Sequence, residues 1–176
     1  MKLIVGLGNP GKNYENTRHN VGFFMIDQLR DFLHFSEWSD SKHKGLISEG
    51  IFQGEKILLL KPTTYMNLSG ESVQSLLSFY KISSESDLLV LSDDIDMEFA
   101  KIRYRETGSH GGQNGLRSII EKVGHDGFSR LKIGIGRDPR YSVSDWVLSK
   151  FQKEELEILQ KEVFPQIYTK LEKWIE

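Results

Sequence analysis

The ten residues Lys2-Leu-Ile-Val-Gly-Leu-Gly-Asn-Pro-Gly11 indicate the architecture of the whole chain. The short apolar run Lys2–Leu7 ends in a glycine-rich turn, which predicts a buried strand. After a polar segment, residues 12–20, the stretch Val21–Phe35 carries apolar side chains at helical spacing. A buried strand, a polar connection and an amphipathic helix in this order are typical of α/β proteins.

Strand and helix patterns alternate along the rest of the chain. The predicted strands are Lys2–Leu7, Leu46–Phe52, Lys56–Lys61, Asp87–Leu91, Ala100–Arg105 and Leu131–Ile135. The predicted helices are Val21–Phe35, Glu71–Tyr80, 116–123 and Glu154–Ile175, the last kinked at Pro165. Gln53-Gly-Glu55 predicts a hairpin, so the sheet has an antiparallel part. We therefore predict one α/β domain over residues 1–176, built on a mixed sheet.

Composition narrows the class of protein further. The chain of 176 residues has no cysteine, which excludes disulfides, thiolate metal ligands and a cysteine nucleophile. No segment approaches the roughly 20 apolar residues that a membrane span needs, and the N-terminus lacks a cleavage site for a signal peptide. These features predict a soluble cytoplasmic protein.

The charge is distributed unevenly. The net charge is -2, yet residues 101–150 hold 10 Lys and Arg against 5 Asp and Glu. Residues 1–100 hold 9 against 14. A basic segment on an acidic background is compatible with a polyanion-binding surface, although the counts alone favour scattered surface charge.

Polar side chains cluster in four connections, where α/β proteins place their sites. The four are Gly6–Asn20, Lys61–Gly70, Ser92–Asp96 and Gly108–Gly115. The first contains a Gly-x-Gly-x-x-Gly pattern, which occurs in dinucleotide-binding proteins. Nine residues separate Gly11 from the helix, so a pyrophosphate would have no helix N-terminus to bind. A nucleotide-dependent oxidoreductase remains as an alternative, and it predicts a helix directly after Gly11.

The remaining chemistry comes from one imidazole, a few carboxylates and three amides. His19 is suited to general-base work near neutral pH. The acidic run around Asp93 is compatible with a magnesium site, with a carboxylate that orients a histidine, or with a solvated turn. Asn9, Asn67 and Asn114 suit the binding of peptide groups or of a developing oxyanion. The chain lacks the Gly-x-Ser-x-Gly elbow, the zinc spacing and the P-loop of other enzyme classes.

Taken together, the four connections resemble a known family. Gly6-Leu-Gly-Asn-Pro-Gly11 with Thr17-Arg-His-Asn20, Pro62-Thr-Thr-Tyr-Met-Asn-Leu-Ser-Gly70, and Asp93-Asp-Ile-Asp96 with Gly108-Ser-His-Gly-Gly-Gln-Asn-Gly115 resemble the motifs of bacterial-type peptidyl-tRNA hydrolases. The resemblance runs through nearly the whole chain. It implies a single α/β domain with a twisted mixed sheet surrounded by helices. It also implies a monomeric, metal-independent and cofactor-free cytoplasmic esterase that cleaves the ester between a nascent peptide and the 3′ end of tRNA.

The resemblance also implies roles for individual residues. His19 would be the general base that activates water, Asp93 would accept a hydrogen bond from it, and Asn9 would contact the peptide and help reject unblocked aminoacyl-tRNA. Five residues would line the site for the tRNA 3′ end and the peptide: Tyr14, Tyr65, Met66, Asn67 and Asn114.

Arg103, Arg105 and Lys132 match basic positions that hold the tRNA acceptor stem, which would use the charge of residues 101–150. Where the family often has histidine, this chain has Gln113, and an amide cannot titrate, so no acid–base role is carried over to it. An RNA-binding module of the same fold without hydrolysis is the alternative function.

Overall fold

The computed structural model describes residues 1–176. Its strands are β1 (Lys2–Gly6), β2 (Ser39–Asp40), β3 (Gly45–Phe52), β4 (Glu55–Pro62), β5 (Leu88–Asp94), β6 (Ile102–Arg105) and β7 (Ser129–Gly134). Its helices are α1 (Val21–Leu33), α2 (Ser69–Tyr80), α3 (Asn114–Val123), α4 (Val143–Val147), α5 (Lys153–Ile158) and α6 (Phe164–Ile175).

The seven strands form one mixed sheet in the order β2-β3-β4-β1-β5-β7-β6. β1 lies between β4 and β5 and is parallel to both, and β5 is parallel to β7. The β3–β4 hairpin and β6 supply the antiparallel part. The carboxyl ends of β4, β1, β5 and β7 therefore meet at the same edge of the sheet, where ligands of such folds usually bind.

The core lies on both faces of the sheet, because successive strand residues point to opposite sides. Ile4 packs with α1 and α6 on one face, whereas Leu3 and Val5 pack with α2 and α3 on the other. All three side chains are at most 1% exposed. Each face buries a separate apolar cluster, and this double burial explains why β1 is an unbroken apolar run.

Each of the strands and helices predicted above is present, with shifts of a few residues at its ends. The predicted terminal helix is interrupted by a π-helical turn, Leu159–Val163, and Pro165 lies in the first turn of α6, where its missing N–H costs little. β2 and α4 were not predicted. None of the helices is long and apolar enough to cross a membrane.

No α-helix follows Gly11 directly, so the prediction made by the dinucleotide-binding alternative is wrong. Two short 3-10 turns, Lys12–Tyr14 and Arg18–Asn20, occupy the connection, and α1 begins only at Val21. α1 lies close to the sheet at Gly22, where an added Cβ would come within 2.6 Å of backbone atoms of Leu7 and Leu91. This close approach places the turn before α1 over the ends of β1 and β5.

Candidate active site

The polar residues singled out in the sequence come together at the carboxyl edge of the sheet. His19 lies in the turn before α1, Asp93 lies near the end of β5, and Asn114 is the first residue of α3. Asn9 follows β1, and Tyr65 follows β4. Residues from four connections thus line one region of the surface.

His19 and Asp93 form the central pair of this region. His19 Nδ1 lies 2.9 Å from Asp93 Oδ2, although the two residues are 74 positions apart. The side chains are 13% and 3% exposed, respectively, so the pair is largely shielded from water. An ionised carboxylate can only accept, and the proton of a neutral His19 therefore resides on Nδ1. Nε2 has no hydrogen-bond partner in the protein and is left as an acceptor.

The pKa of His19 lies above its ordinary value. Burial of the ring lowers the pKa, but the charge of Asp93 and the hydrogen bond that it accepts raise it by more. The unprotonated form of His19, the only one that can take up a proton, consequently becomes dominant at a higher pH than for a free imidazole.

Asn9 is held in one orientation by its neighbours. Its Oδ1 accepts a hydrogen bond from Met66 N at 2.7 Å, and its backbone exchanges two hydrogen bonds with the side chain of Asn20. Since Met66 N can only donate, the atom of the Asn9 amide that faces it has to be the oxygen. The nitrogen Nδ2 is therefore the donor that is free to bind a ligand. Asn9 is 8% exposed and borders the cavity that contains His19.

The turn that carries His19 is anchored through Arg18, which the sequence did not single out for this role. Its guanidinium bonds Ser149 Oγ at 3.0 Å and Glu155 at 3.0 Å, and it lies 4.1 Å from the ring of Trp146. Arg18 is 5% exposed. The anchor joins the turn to α4 and α5, so the segment around α4 closes one side of the site.

Two cavities meet at His19. One, of about 120 Å³, is also lined by Asp93, Gln113 and Lys132. The other, of about 520 Å³, is lined by Asn9 and the connection after β4. His19 and Asn114 border both, so the His19 side chain lies where a ligand extending through the two cavities would pass.

The second cavity carries most of the predicted binding residues. Tyr14 and Tyr65 form an edge-to-face pair with ring centroids 6.1 Å apart, and Tyr65 is 55% exposed. Met66 is buried, and its sulfur lies so close to α3 that an added Cβ at Gly115 would come within 2.6 Å of it. Asn67 is exposed at the cavity wall.

Basic side chains share one face of the β6–β7 pair. Arg103 is directly opposite Lys132, and Arg105 is opposite Arg130. Arg103, Arg105 and Lys132 form no ion pair. Arg130 is fully buried and bonds backbone carbonyls, including that of Gly108 at 2.8 Å. The three accessible cations thus form a patch beside the smaller cavity.

The acidic run that begins at the end of β5 has partners within the protein. Asp94 Oδ1 accepts from Asp96 N at 2.8 Å, and Asp96 pairs with Arg137 at 2.9 Å. No three His, Asp or Glu side chains converge as metal ligands anywhere in the chain. Of the three interpretations of this run, the one with a histidine-orienting carboxylate matches the contact of Asp93.

Gln113 belongs to the site, although no role was predicted for it. Its Nε2 donates to Asp93 Oδ1 at 3.0 Å, and its Oε1 accepts from Leu116 N at 2.8 Å as the N-cap of α3. Glutamine is not among the residue types that mark a helix N-cap in a sequence, so no local signal indicated its capping role, and its contact with Asp93 depends on the packing of α3 beside β5.

Comparisons with known proteins match this chain to peptidyl-tRNA hydrolases along most of its length. A sequence model of the peptidyl-tRNA hydrolase family matches residues 3–176. The chain is 50% identical over 156 residues to a peptidyl-tRNA hydrolase of Agathobacter rectalis, covering 88% of this chain and 83% of that protein. It is 52% identical over 157 residues to one from an Exiguobacterium species, covering 89% and 84%.

Solved structures lead to the same family. The crystal structure of peptidyl-tRNA hydrolase from Acinetobacter baumannii superimposes with a TM-score of 0.84 at 37% identity. The match covers 99% of this chain and 92% of that one. The single α/β architecture with a mixed sheet, predicted from the sequence, is thus confirmed.

Proposed function

This chain belongs to the peptidyl-tRNA hydrolase family and is an enzyme of that type, and we propose that His19 is the general base of its reaction. The reaction hydrolyses the ester that joins a peptide to the 3′ end of tRNA. The observation that carries the proposal is the contact of His19 Nδ1 with Asp93, because it leaves Nε2 free to accept a proton from water.

The proposed reaction has two steps. Nε2 of His19 takes a proton from water while the water oxygen attacks the ester carbonyl, which gives a tetrahedral oxyanion and an imidazolium. The oxyanion then collapses, the bond to the ribose 3′-oxygen breaks, and the imidazolium returns its proton to that oxygen. The products are a free peptide carboxyl group and tRNA, and Asp93 stabilises the imidazolium between the steps.

Amide groups supply the polar contacts to the substrate. We assign Asn9 Nδ2 to the peptide carbonyl nearest the ester, and Asn67 and Asn114 to the peptide backbone and the 3′ end. Neutral donors of this kind also stabilise a developing oxyanion. Tyr14, Tyr65 and Met66 supply the apolar surface of the same cavity.

The proposed site needs no second copy of the chain. All its residues come from one seven-stranded sheet and its connections, which supports a single domain that acts as a monomer. The substrate arises during translation, which supports action in the cytoplasm.

The central experiment measures release of tRNA from N-acetyl-aminoacyl-tRNA by the purified protein. Turnover is expected, and free aminoacyl-tRNA should react poorly. Tight binding of the blocked substrate with an intact ester would instead favour the RNA-binding module of the same fold.

Replacing Asn9 by alanine should narrow the preference for blocked over free aminoacyl-tRNA. A blocked substrate offers a peptide carbonyl to Asn9 Nδ2, whereas a free α-ammonium cannot accept a hydrogen bond. Loss of this contact should lower the free-energy difference that separates the blocked from the free substrate by about 1–3 kcal/mol. The ratio of kcat/KM for the two substrates is the measurement.

Asn9→Asp is the companion variant, since it keeps the acceptor for Met66 N but replaces the donor with a negatively charged oxygen, which cannot bond the peptide carbonyl and attracts the free α-ammonium. Both variants should lower the ratio. A ratio that stays at the wild-type value in both would remove Asn9 from the recognition of the peptide.

The basic patch should bind phosphates of the tRNA and should not affect the cleavage of the ester itself. Changing Arg105 and Lys132 to glutamine should raise KM for full-length substrates and flatten the dependence of log kcat/KM on log salt by about one unit per lost phosphate contact. A minimal substrate without the acceptor stem should react almost as before. Lys153→Gln/Lys161→Gln, which also removes two positive charges at exposed positions, is the charge-matched control. Equal losses on both substrates would assign the two residues to the structure or the chemistry.

A further inference from the structure

We propose that Gln113 is a positioning residue whose side-chain amide holds Asp93 in the orientation that fixes the proton of His19 on Nδ1. The inference rests on the proposed general-base role of His19. Gln113 Nε2 donates to Asp93 Oδ1 at 3.0 Å, while Asp93 Oδ2 lies 2.9 Å from His19 Nδ1. The carboxylate thus bridges the amide and the imidazole.

The orientation of the amide is set by the helix that follows it. Gln113 Oε1 accepts from Leu116 N at 2.8 Å, and a backbone N–H can only donate. A flipped amide would place its oxygen against the Asp93 carboxylate and its nitrogen against the N–H of Leu116. Both contacts would be repulsive, so Nε2 has to face Asp93.

The bridge joins three parts of the fold. Asp93 belongs to β5, Gln113 caps α3, and His19 lies in the turn before α1. The Asp93 side chain is only 3% exposed, so water contributes little to holding it. Gln113 Nε2 bonds one oxygen of Asp93 and His19 Nδ1 bonds the other, so the plane of the carboxylate is defined. Because an ionised carboxylate can only accept, His19 Nδ1 has to carry the proton.

Other ionisable groups near His19 do not take part in the bridge. Asp94, His110 and Lys132 line the smaller cavity, and Tyr14 and Tyr65 line the larger one. None of them forms a hydrogen bond to His19 or Asp93, and Arg18 is directed to Ser149 and Glu155. Gln113 is therefore the side chain outside the pair that hydrogen-bonds Asp93.

Gln113→Glu separates this role from helix capping. Glutamate keeps an acceptor for Leu116 N, but it replaces the donor to Asp93 with a second carboxylate, and two carboxylates at this distance repel each other. We expect kcat at pH 7 to fall about tenfold, and the acidic limb of the pH profile to move up, because the added negative charge favours the imidazolium.

Gln113→Glu should restore part of the activity that Asp93→Asn removes. In Asp93→Asn, Gln113 Nε2 would bond the Asn oxygen, so the Asn NH₂ would face Nδ1 and force the proton onto Nε2. In the double variant Asp93→Asn/Gln113→Glu, the carboxylate introduced by the second substitution would accept from that NH₂ group. The Asn oxygen would then face Nδ1 and restore the productive form of His19. We expect the double variant to turn over at least about tenfold faster than Asp93→Asn alone, as for a corrected tautomer.

The experiment measures kcat/KM against pH for the wild type, Gln113→Glu, Asp93→Asn and the double variant, with the imidazole ¹⁵N shifts of His19 as the signature of the tautomer. Gln166→Glu, the same chemical change at an exposed position of α6, should behave as wild type. If Gln113→Glu does not fold, Gln113→Met removes the donor without adding charge.

Two results would overturn the inference: wild-type kinetics for Gln113→Glu, or a double variant no faster than Asp93→Asn. The proposed general base is tested independently by His19→Ala. If that variant is inactive and Gln113→Glu is normal, only the role of Gln113 is wrong. If His19→Ala is nearly as active as wild type, the general-base proposal itself fails.

Discussion

Replacing His19 by alanine is expected to lower kcat for N-acetyl-aminoacyl-tRNA by about two to four orders of magnitude, the usual contribution of a general base. Nε2 is the only nitrogen of the His19–Asp93 pair that is free to accept a proton from water. KM should change little, because the amides and the basic patch remain. The measurement is single-turnover hydrolysis at saturating enzyme, which reports the chemical step.

The pH profile adds a second readout for the same residue. Because Asp93 raises the pKa of His19 despite its burial, wild-type kcat should rise with pH through a value above that of a free imidazole and then level off. His19→Ala should lose this limb. His34→Asn, at an exposed position after α1, is the matched control and should retain wild-type turnover. Near-normal hydrolysis by His19→Ala would contradict the mechanism.

Asp93→Asn should reduce kcat by about three to four orders of magnitude, as expected when a histidine base is held in the wrong tautomer. The reason lies in Gln113, whose donor has to meet the Asn oxygen and so turns the Asn NH₂ group toward Nδ1. Nε2 then carries the proton and cannot take another from water. Loss of the carboxylate also removes the charge that favours the imidazolium, so the acidic limb of the residual activity should move down.

Asp93→Ala provides the comparison for this prediction. Alanine removes the carboxylate without imposing a tautomer, so it should retain more activity than asparagine. Since His19 and Asp93 act together, His19→Ala/Asp93→Asn should be little worse than His19→Ala alone. Fully additive losses in the double variant, or a smaller loss for asparagine than for alanine, would contradict the tautomer argument.

The sheet and its larger helices could be predicted because their apolar spacing is a local property. β1 and β5 are buried on both faces and form continuous apolar runs in the sequence, and α1 and α2 show a clear helical period. β2, with two residues, and α4, with five, are too short to show any period. The π-helical turn before α6 leaves no pattern, because the buried residues Leu159, Val163 and Ile167 follow one another at intervals of four, a spacing that also occurs in an ordinary α-helix.

The sequence predicted which residues belong to the site better than it predicted the contacts between them. His19, Asp93 and Asn9 were singled out by residue type in the polar connections, and the resemblance to a known family gave them roles. The folded chain brings them to one edge of the sheet. Arg18 and Gln113 were missed as site residues. Their partners, Glu155 and Asp93, lie 137 and 20 positions away, so no local pattern connects them.

The amino-acid order alone was sufficient to specify the class of fold, the family and the residue types available for ester hydrolysis, because spacing and motif are written along the chain. It did not specify which nitrogen of His19 is free, which way the amides of Asn9 and Gln113 face, or which cations share a face with Lys132. Those features arise where separate strands end side by side, and there a single fixed donor, such as Met66 N or Leu116 N, orients each amide. Such donors come from backbone that only the folded sheet and its helices bring within hydrogen-bond distance.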